Sequence, residues 1–300
     1  MTTGDLAYDV VDVFAESPYA GNQLAVVHGA GRLSDAQLLA IAREFNYSET
    51  TFPTPLGAGR YSVRIFTPGS ELPWAGHPTL GTAWVLRERG LLSGDEVVQE
   101  CAAGEVAVRF ADDLVELTAT PRVPVGPVPD DVVGELLSDH GLGPEDQADE
   151  AWVAGAGLNF LHVPVRSGAV VRSRPGGRAL TSYDGMPEVD DPVEGVNLVT
   201  IEGPDGGGAG LDVHARVFAP EVAVPEDAAT GSAAAGLGIM LAVSGRLPDG
   251  GTYVVRQGIE MGRPSLLLGR VEARSGRATR CHVGGRVQPV ASGKLRLPPG

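Results

Sequence analysis

Lysine is nearly absent from this sequence. Of the 23 basic residues among 300, only Lys294 is a lysine, and it lies in a segment whose Gly and Pro content predicts a terminal tail. Because a pyridoxal Schiff base requires a buried lysine, the sequence disfavours that chemistry. Cysteine is just as scarce. Cys101 and Cys281 are too few for a disulfide scaffold and fit no zinc spacing, so we expect no metal and no cofactor.

Positive charge and long apolar runs are also lacking. The formal charge is −15, which disfavours a nucleic-acid partner, because phosphate neutralisation requires clustered Lys and Arg. The N-terminus shows no basic stretch followed by an apolar one. The longest uncharged run, 228–245, is too rich in Gly and Ala to span a bilayer. We therefore expect a cytoplasmic protein without a membrane partner.

What the sequence does contain is a frame that occurs twice. Arg-x-Phe-x-Pro-x4-Pro begins at Arg64 and again at Arg216, 152 residues later (216 − 64), about half the chain. Each copy leads into a step typical of a helix start, first Gly76-His77-Pro78 and then Thr230-Gly231-Ser232. This repeat predicts two lobes of related architecture.

Periodicity adds many short strands and two apolar helices, one after each copy of the frame, which predicts an α+β fold. Ser34 and Gln37 fit a capping box for an earlier helix that ends near Asn46. The Pro-rich segment 121–129 is the predicted crossing between an N-terminal lobe, 1–121, and a C-terminal lobe, 122–300. The last strand is expected to return to the first lobe, and the Gly-rich segment 204–210 is predicted to be a hairpin loop.

The two helix starts are candidate anion sites. Backbone N–H groups at a helix start are unpaired and lie at the positive end of the helix dipole, so they can bind a carboxylate. If the two halves pack about a pseudo-twofold axis, both starts would face one cleft. Gly76, Thr230, Gly231 and Ser232 are the predicted substrate-binding residues.

Three ionisable residues complete the candidate site. His77 and Asp227 lie at or just before the helix starts, and Glu49 interrupts a strand-forming run. A glutamate in a water-poor pocket can exchange protons near neutral pH. Each residue also has a structural alternative: Glu49 as a solvent-facing strand residue, His77 as a helix cap, and Asp227 as a first-turn carboxylate. No nucleophile with an adjacent base and no metal motif is present, which leaves cofactor-independent acid–base chemistry.

At these residues the chain resembles the phenazine biosynthesis PhzF family, within the diaminopimelate epimerase-like fold. The resembling segments span nearly the whole chain in the family's order: 12–15, Gly21-Asn22, 46–52, 64–82, 216–234, Gln257-Gly258 and 261–265. The resemblance implies two similar lobes, each a mostly antiparallel sheet or barrel wrapped around a central helix, with the active site between them. It is also compatible with a homodimer.

The resemblance further implies roles for the candidate residues. Glu49 matches the family's general acid/base, and His77 and Asp227 match its partners in proton transfer. Related epimerases place a cysteine at each helix start, where this chain has His77 and Ser232, so two-thiol racemisation is disfavoured. Trp74 departs from the pattern of the family, and we expect it to alter the shape of the pocket.

The favoured hypothesis is an isomerase that shifts a proton and a double bond in a small unsaturated, amino-acid-like carboxylate, in secondary metabolism. Two alternatives stay open. One is an amino-acid racemase or epimerase that works without thiols, and the other is a non-catalytic metabolite-binding protein of the same fold.

Overall fold

The computed structural model describes residues 5–57, 59–176, 178–203, 210–220 and 224–298. Its helices are α1 Asp35–Phe45, α2 Gly76–Glu88, α3 Asp130–Asp139, α4 Ala169–Arg172 and α5 Gly231–Val243. Its strands are β1 Leu6–Val13, β2 Asn22–Val27, β3 Glu49–Gly57, β4 Arg60–Phe66, β5 Glu71–Leu72, β6 Glu96–Cys101, β7 Gly104–Ala111, β8 Leu114–Ala119, β9 Trp152–Ala156, β10 Leu158–Pro164, β11 Val193–Glu202, β12 Leu211–Ala219, β13 Val224–Asp227, β14 Gly251–Gln257, β15 Ser265–Arg274, β16 Arg277–Gly285 and β17 Val287–Leu295. The excess of strand over helix confirms the predicted α+β class. The predicted loop at 204–210 lies outside the described residues except for Gly210.

The chain forms two compact units, Met1–Thr118 with Gly284–Gly300, and Ala119–Val283. In the first unit β1 pairs antiparallel with both β2 and β17. Lys294 lies opposite Ala7 in the second pairing, so the prediction of a terminal tail at Lys294 is wrong. The proline within β17, Pro289, is accommodated where the register shifts between Val10 and Val11.

Helix α2 is the centre of the first unit. It is buried along nearly its whole length and packs on β1, β2, β3, β6, β7 and β17. A helix that is enclosed on most sides needs no polar face, which explains why its apolar residues form no single stripe. Its start is therefore fixed by the strands around it.

Helix α5 has the corresponding place in the second unit. It is buried from Gly231 to Ala242 and packs on β9, β10 and β15. Small residues permit this close approach, since a Cβ added at Gly236 would lie 2.7 Å from the carbonyl oxygen of Ala154. After each central helix the chain enters a strand that pairs in parallel with the strand in which the repeated frame begins. β6 pairs in this way with β4, and β14 pairs with β12.

Helix α1 positions the strand that carries Glu49. The predicted capping box is confirmed, because the Ser34 side chain accepts from the Gln37 backbone while the Gln37 side chain accepts from Ser34 N–H. The helix ends at Asn46, whose left-handed φ of 54° reverses the chain. Strand β3 begins three residues later.

Candidate active site

Glu49 is the first residue of β3 and lies opposite Leu24 of β2 in a parallel pairing. Its side chain is only 15% exposed, which excludes the solvent-facing alternative. The buried Oε2 atom has no hydrogen-bond partner in the described part of the chain. Burial raises the pKa of Glu49 to about 7. The carboxyl group therefore changes its protonation state near neutral pH.

His77 is the second residue of α2, and its side chain is 6% exposed. Its Nε2 atom lies 3.3 Å from Oε2 of Glu49. The helix start is capped by the backbone of Ala75 without a side-chain hydrogen bond, so His77 does not act as the cap. Two ionisable groups at this distance in a water-poor site can share a proton. The structure thus brings Glu49 and His77 together.

A short hydrogen-bonded chain orients the imidazole of His77. The Ser48 hydroxyl donates to Oδ1 of Asn22 over 3.2 Å, and Nδ2 of Asn22 lies 3.3 Å from Nδ1 of His77. This contact lies on the Nδ1 side of the ring, so that Nε2 is the ring nitrogen that faces Glu49. Asn22 and Ser48 lie in the segments that resemble the PhzF family, but the resemblance implied no role for either residue.

A second group of predicted residues surrounds the start of α5. Asp227 is the last residue of β13, and Thr230 is the N-cap of the helix. The Thr230 hydroxyl donates to Oδ2 of Asp227 over 2.6 Å. Gln257, at the end of β14, donates to Thr230 Oγ1 over 2.9 Å and to the Asp227 carbonyl over 2.8 Å. Gln257 was not among the predicted site residues, since the resemblance covered it without implying a role.

The starts of α2 and α5 are similar in their N-caps and first turns. In neither α2 nor α5 does the side chain of the N-cap residue accept a hydrogen bond from the first turn, and neither helix has an acidic residue in that turn. Gly76, Gly231 and Ser232 are all buried at these positive ends. Their binding of a substrate carboxylate, and that of Thr230, stay predictions.

The predicted site residues thus fall into two sets. Glu49, Gly76 and His77 belong to the first unit, and Asp227, Thr230, Gly231 and Ser232 belong to the second. Among the described residues no three His, Cys, Asp or Glu side chains are close enough to hold a metal ion together. No helix in the same residues has the length and apolar character to cross a membrane.

The sequence model of the phenazine biosynthesis-like proteins (PhzC-PhzF) matches residues 11–293. The chain belongs to this family. It is 36% identical over 294 residues to a trans-2,3-dihydro-3-hydroxyanthranilate isomerase of Pseudomonas chlororaphis, covering 97% of this chain and 99% of the relative. The corresponding enzyme of Pseudomonas aeruginosa is 34% identical over 298 residues, with the same coverage. These relatives confirm the PhzF resemblance and the prediction of an isomerase.

Solved structures show the same fold. A PhzF-family phenazine biosynthesis protein from Bacillus anthracis aligns with a TM-score of 0.81 at 22% identity, over 97% of this chain and 99% of its own. A predicted epimerase from Pseudomonas aeruginosa aligns with a TM-score of 0.78 at 30% identity, again over 97% and 99%.

Proposed function

We propose that this protein is a cofactor-independent isomerase that moves a proton between carbon atoms of a small, unsaturated, amino-acid-like carboxylate in secondary metabolism. The observation that carries the proposal is the Glu49–His77 pair. Its carboxyl group is buried, has a pKa raised to about 7 and lies 3.3 Å from the imidazole. A group with this pKa can both accept and return a proton at neutral pH.

The substrate we propose is trans-2,3-dihydro-3-hydroxyanthranilate or a close analogue. Support comes from the relatives that bear this substrate in their names and are 34% and 36% identical to the chain. The molecule carries a carboxylate, for which helix starts that lack a side-chain cap and first-turn acids are suited. We assign carboxylate binding to Gly76, Thr230, Gly231 and Ser232.

In the proposed reaction the Glu49 carboxylate removes a proton from one ring carbon. The electrons of the broken C–H bond enter the conjugated π system, and the protonated Glu49 returns its proton to a second carbon, where a new C–H bond forms. Atoms and electrons balance without an oxidant. His77 faces Glu49 through Nε2 and stabilises its charged form, and Asp227 assists proton transfer and orients the substrate.

Replacing Glu49 tests the proposal directly. Glu49→Gln keeps the size of the side chain but cannot carry the proton, so we expect substrate binding to persist while kcat falls about 10²- to 10⁴-fold. The matched control is Glu100→Gln, a half-exposed carboxylate of the same unit paired with Arg60, which should leave kcat unchanged. Full turnover by Glu49→Gln would disprove the assignment.

The pH profile and isotope incorporation provide a second line of evidence. Because the base must be deprotonated, kcat/KM of the wild type should rise with pH through about 7, the pKa of Glu49. In heavy water, deuterium should enter the product at the carbon that gains the proton when Glu49 exchanges its proton with solvent before returning it; a fully shielded proton would be transferred without exchange. A flat profile from pH 5 to 9 would contradict the assignment of Glu49 as the base.

A second candidate function is epimerisation of an amino acid without thiols. The solved structure that is 30% identical to the chain is described as a predicted epimerase, and the same acid–base pair could remove and return a proton at one carbon. Loss of optical rotation in an amino acid substrate would indicate epimerisation, whereas a change in ultraviolet absorption would indicate a double-bond shift. Binding without turnover by either measure would favour a non-catalytic protein.

A further inference from the structure

Gln257 is a buried glutamine whose side-chain hydrogen bonds within the described part of the chain reach one turn. Only 1% of the residue is exposed. Its Nε2 atom donates to the carbonyl of Asp227 over 2.8 Å and to Oγ1 of Thr230 over 2.9 Å. Its Oε1 atom accepts from the backbone N–H of Thr230 over 3.2 Å. A buried amide satisfied in this way fixes the turn between β13 and α5.

These bonds have a defined direction. The Thr230 hydroxyl has a single proton, and it donates that proton to Oδ2 of Asp227 over 2.6 Å while it accepts from Gln257. The chain therefore runs from the Gln257 amide through Thr230 to the Asp227 carboxylate. A carboxylate or an apolar side chain at position 257 could not donate at its beginning.

The next residue makes a second, independent contact with the same turn. Gly258 has a φ of +71°, and a Cβ added to it would lie 2.6 Å from the carbonyl oxygen of Ala228. Only glycine permits this approach without strain. Gln257 thus contacts the turn through side-chain hydrogen bonds, and Gly258 contacts it through the close approach of its backbone.

We propose that Gln257 is a positioning residue for the reaction. It sets the direction of the Asp227 carboxylate and the place of the first N–H groups of α5, where Gly231 and Ser232 lie. This inference rests on the proposed function, which assigns proton transfer and carboxylate binding to those groups.

The chain offers a matched control in the first unit. Gln99, on the parallel strand that follows α2, is fully buried. It donates to Oγ1 of Thr79 over 2.8 Å and accepts from the Tyr61 hydroxyl over 3.0 Å. Gln99→Met therefore removes a buried amide beside a central helix without touching the turn that holds Asp227.

The experiment compares Gln257→Met with Gln99→Met at equal protein concentration and temperature. Both variants should lose thermal stability. We expect Gln257→Met to lower kcat/KM at least about tenfold more than Gln99→Met, because small displacements of reacting groups are costly in rate. Equal kcat/KM in the two variants would overturn the inference while leaving the proposed function intact.

A second pair of variants tests the inference independently, in case Gln257→Met does not fold. Thr230→Val removes the hydroxyl in the middle of the chain, and Thr230→Ser restores it. Loss of kcat/KM in the first variant and recovery in the second is the expected result. Equal activity of the two would count against the directional chain.

Carbon-13 NMR titration of the Asp227 carboxyl group separates this inference from the proposed function, since it requires no turnover. Its resonance is assigned from an Asp227→Asn spectrum. The titration should differ from the wild type in Gln257→Met and Thr230→Val and match it in Gln99→Met. If the wild type fails to isomerise the dihydro-hydroxyanthranilate, the proposed substrate falls, and this titration still decides the role of Gln257: an unchanged Asp227 overturns it.

Discussion

The two copies of the repeated frame use their arginines in the same way. Arg64 forms a two-pronged ion pair with Glu71, at 2.7 and 2.6 Å, and Arg216 forms one with Glu226, at 2.8 and 2.7 Å. Each guanidinium carbon also lies over the phenylalanine two residues later, 5.1 Å from the Phe66 ring centroid and 5.0 Å from that of Phe218. The frame therefore holds the short segment that precedes each central helix.

The copies differ in how far water reaches the pair. The side chains of Arg64 and Glu71 are 39% and 38% exposed, whereas those of Arg216 and Glu226 are 7% and 11% exposed. Arg216 also donates to the backbone carbonyl of Ser173. The same residues thus form a surface ion pair in one copy and a buried one in the other, and only the buried pair leaves an uncompensated charge when one partner is removed.

The largest effect on stability is expected from breaking the buried pair. Arg216→Met should lower the free energy of unfolding by about 3–5 kcal/mol, because Glu226 would be left buried without its partner. Arg64→Met should cost less than about 1 kcal/mol, since water screens Glu71. Urea unfolding followed by circular dichroism measures both values.

The double variant Arg216→Met with Glu226→Gln sharpens this result. If uncompensated charge causes the loss, the double variant should be more stable than Arg216→Met alone. If Arg216→Met and Arg64→Met lowered the free energy of unfolding by the same amount, burial would not account for a difference between the two ion pairs.

The central helices differ in what surrounds their glycines, and this predicts an intermediate effect. A Cβ at Gly236 of α5 would lie 2.7 Å from the backbone oxygen of Ala154, whereas one at Gly81 of α2 would meet the methyl groups of Leu24 and Val13. Gly236→Ala should therefore cost about 1–3 kcal/mol, and Gly81→Ala less, because side-chain ends can shift. Thermal unfolding of both variants tests the order, and a larger loss for Gly81→Ala would reverse it.

The smallest expected effect is a gain in stability at Glu49 of the first unit. Burial favours the protonated form of Glu49, with a pKa of about 7 in the folded protein against 4.5 for the free side chain. As pH rises from about 4.5 to about 7, Glu49 loses its proton in the unfolded chain but keeps it in the folded protein. The free energy of unfolding therefore falls over this range, and the full loss is reached above pH 7. The shift corresponds to about 3 kcal/mol, and burial of the Gln amide offsets part of it, so Glu49→Gln should raise the free energy of unfolding by about 1–2 kcal/mol at pH 8.

The control for this gain is the same variant at low pH. At pH 4 both states hold the proton, so the advantage of Glu49→Gln should vanish. A gain of equal size at pH 4 and pH 8 would assign it to packing and would contradict the raised pKa of Glu49.

Local patterns in the sequence predicted much of the secondary structure. The Ser34–Gln37 capping box and the end of α1 at Asn46 agree with the structure. These features depend on neighbours in the chain, so spacing alone is informative. The segment of Lys294 was misread as a tail, because its Gly and Pro content hid part of β17, and the paired residues of β1 lie 274 to 289 positions earlier (287 − 13 and 295 − 6).

The candidate site was predictable only in part. Glu49 and His77 were identified from a strand anomaly and a helix start, but nothing in their spacing gave the 3.3 Å approach or the raised pKa. Gln257 lies 27 residues after Thr230, and a lone glutamine at the end of a strand carries no local signal. Contacts of this kind depend on how strands align across a sheet.

The sequence alone determined the residue types, the repeat and the exclusions: scarce lysine and cysteine disfavoured pyridoxal and thiol chemistry, and the two frames located both helix starts. The tertiary structure decided the environments. It buried one of two equivalent arginine–glutamate pairs, placed Glu49 where desolvation raises its pKa, and brought Gln257 onto the Asp227 turn. Burial and long-range strand pairing decide these properties, because the free energy of a charge depends on the surroundings that distant segments supply.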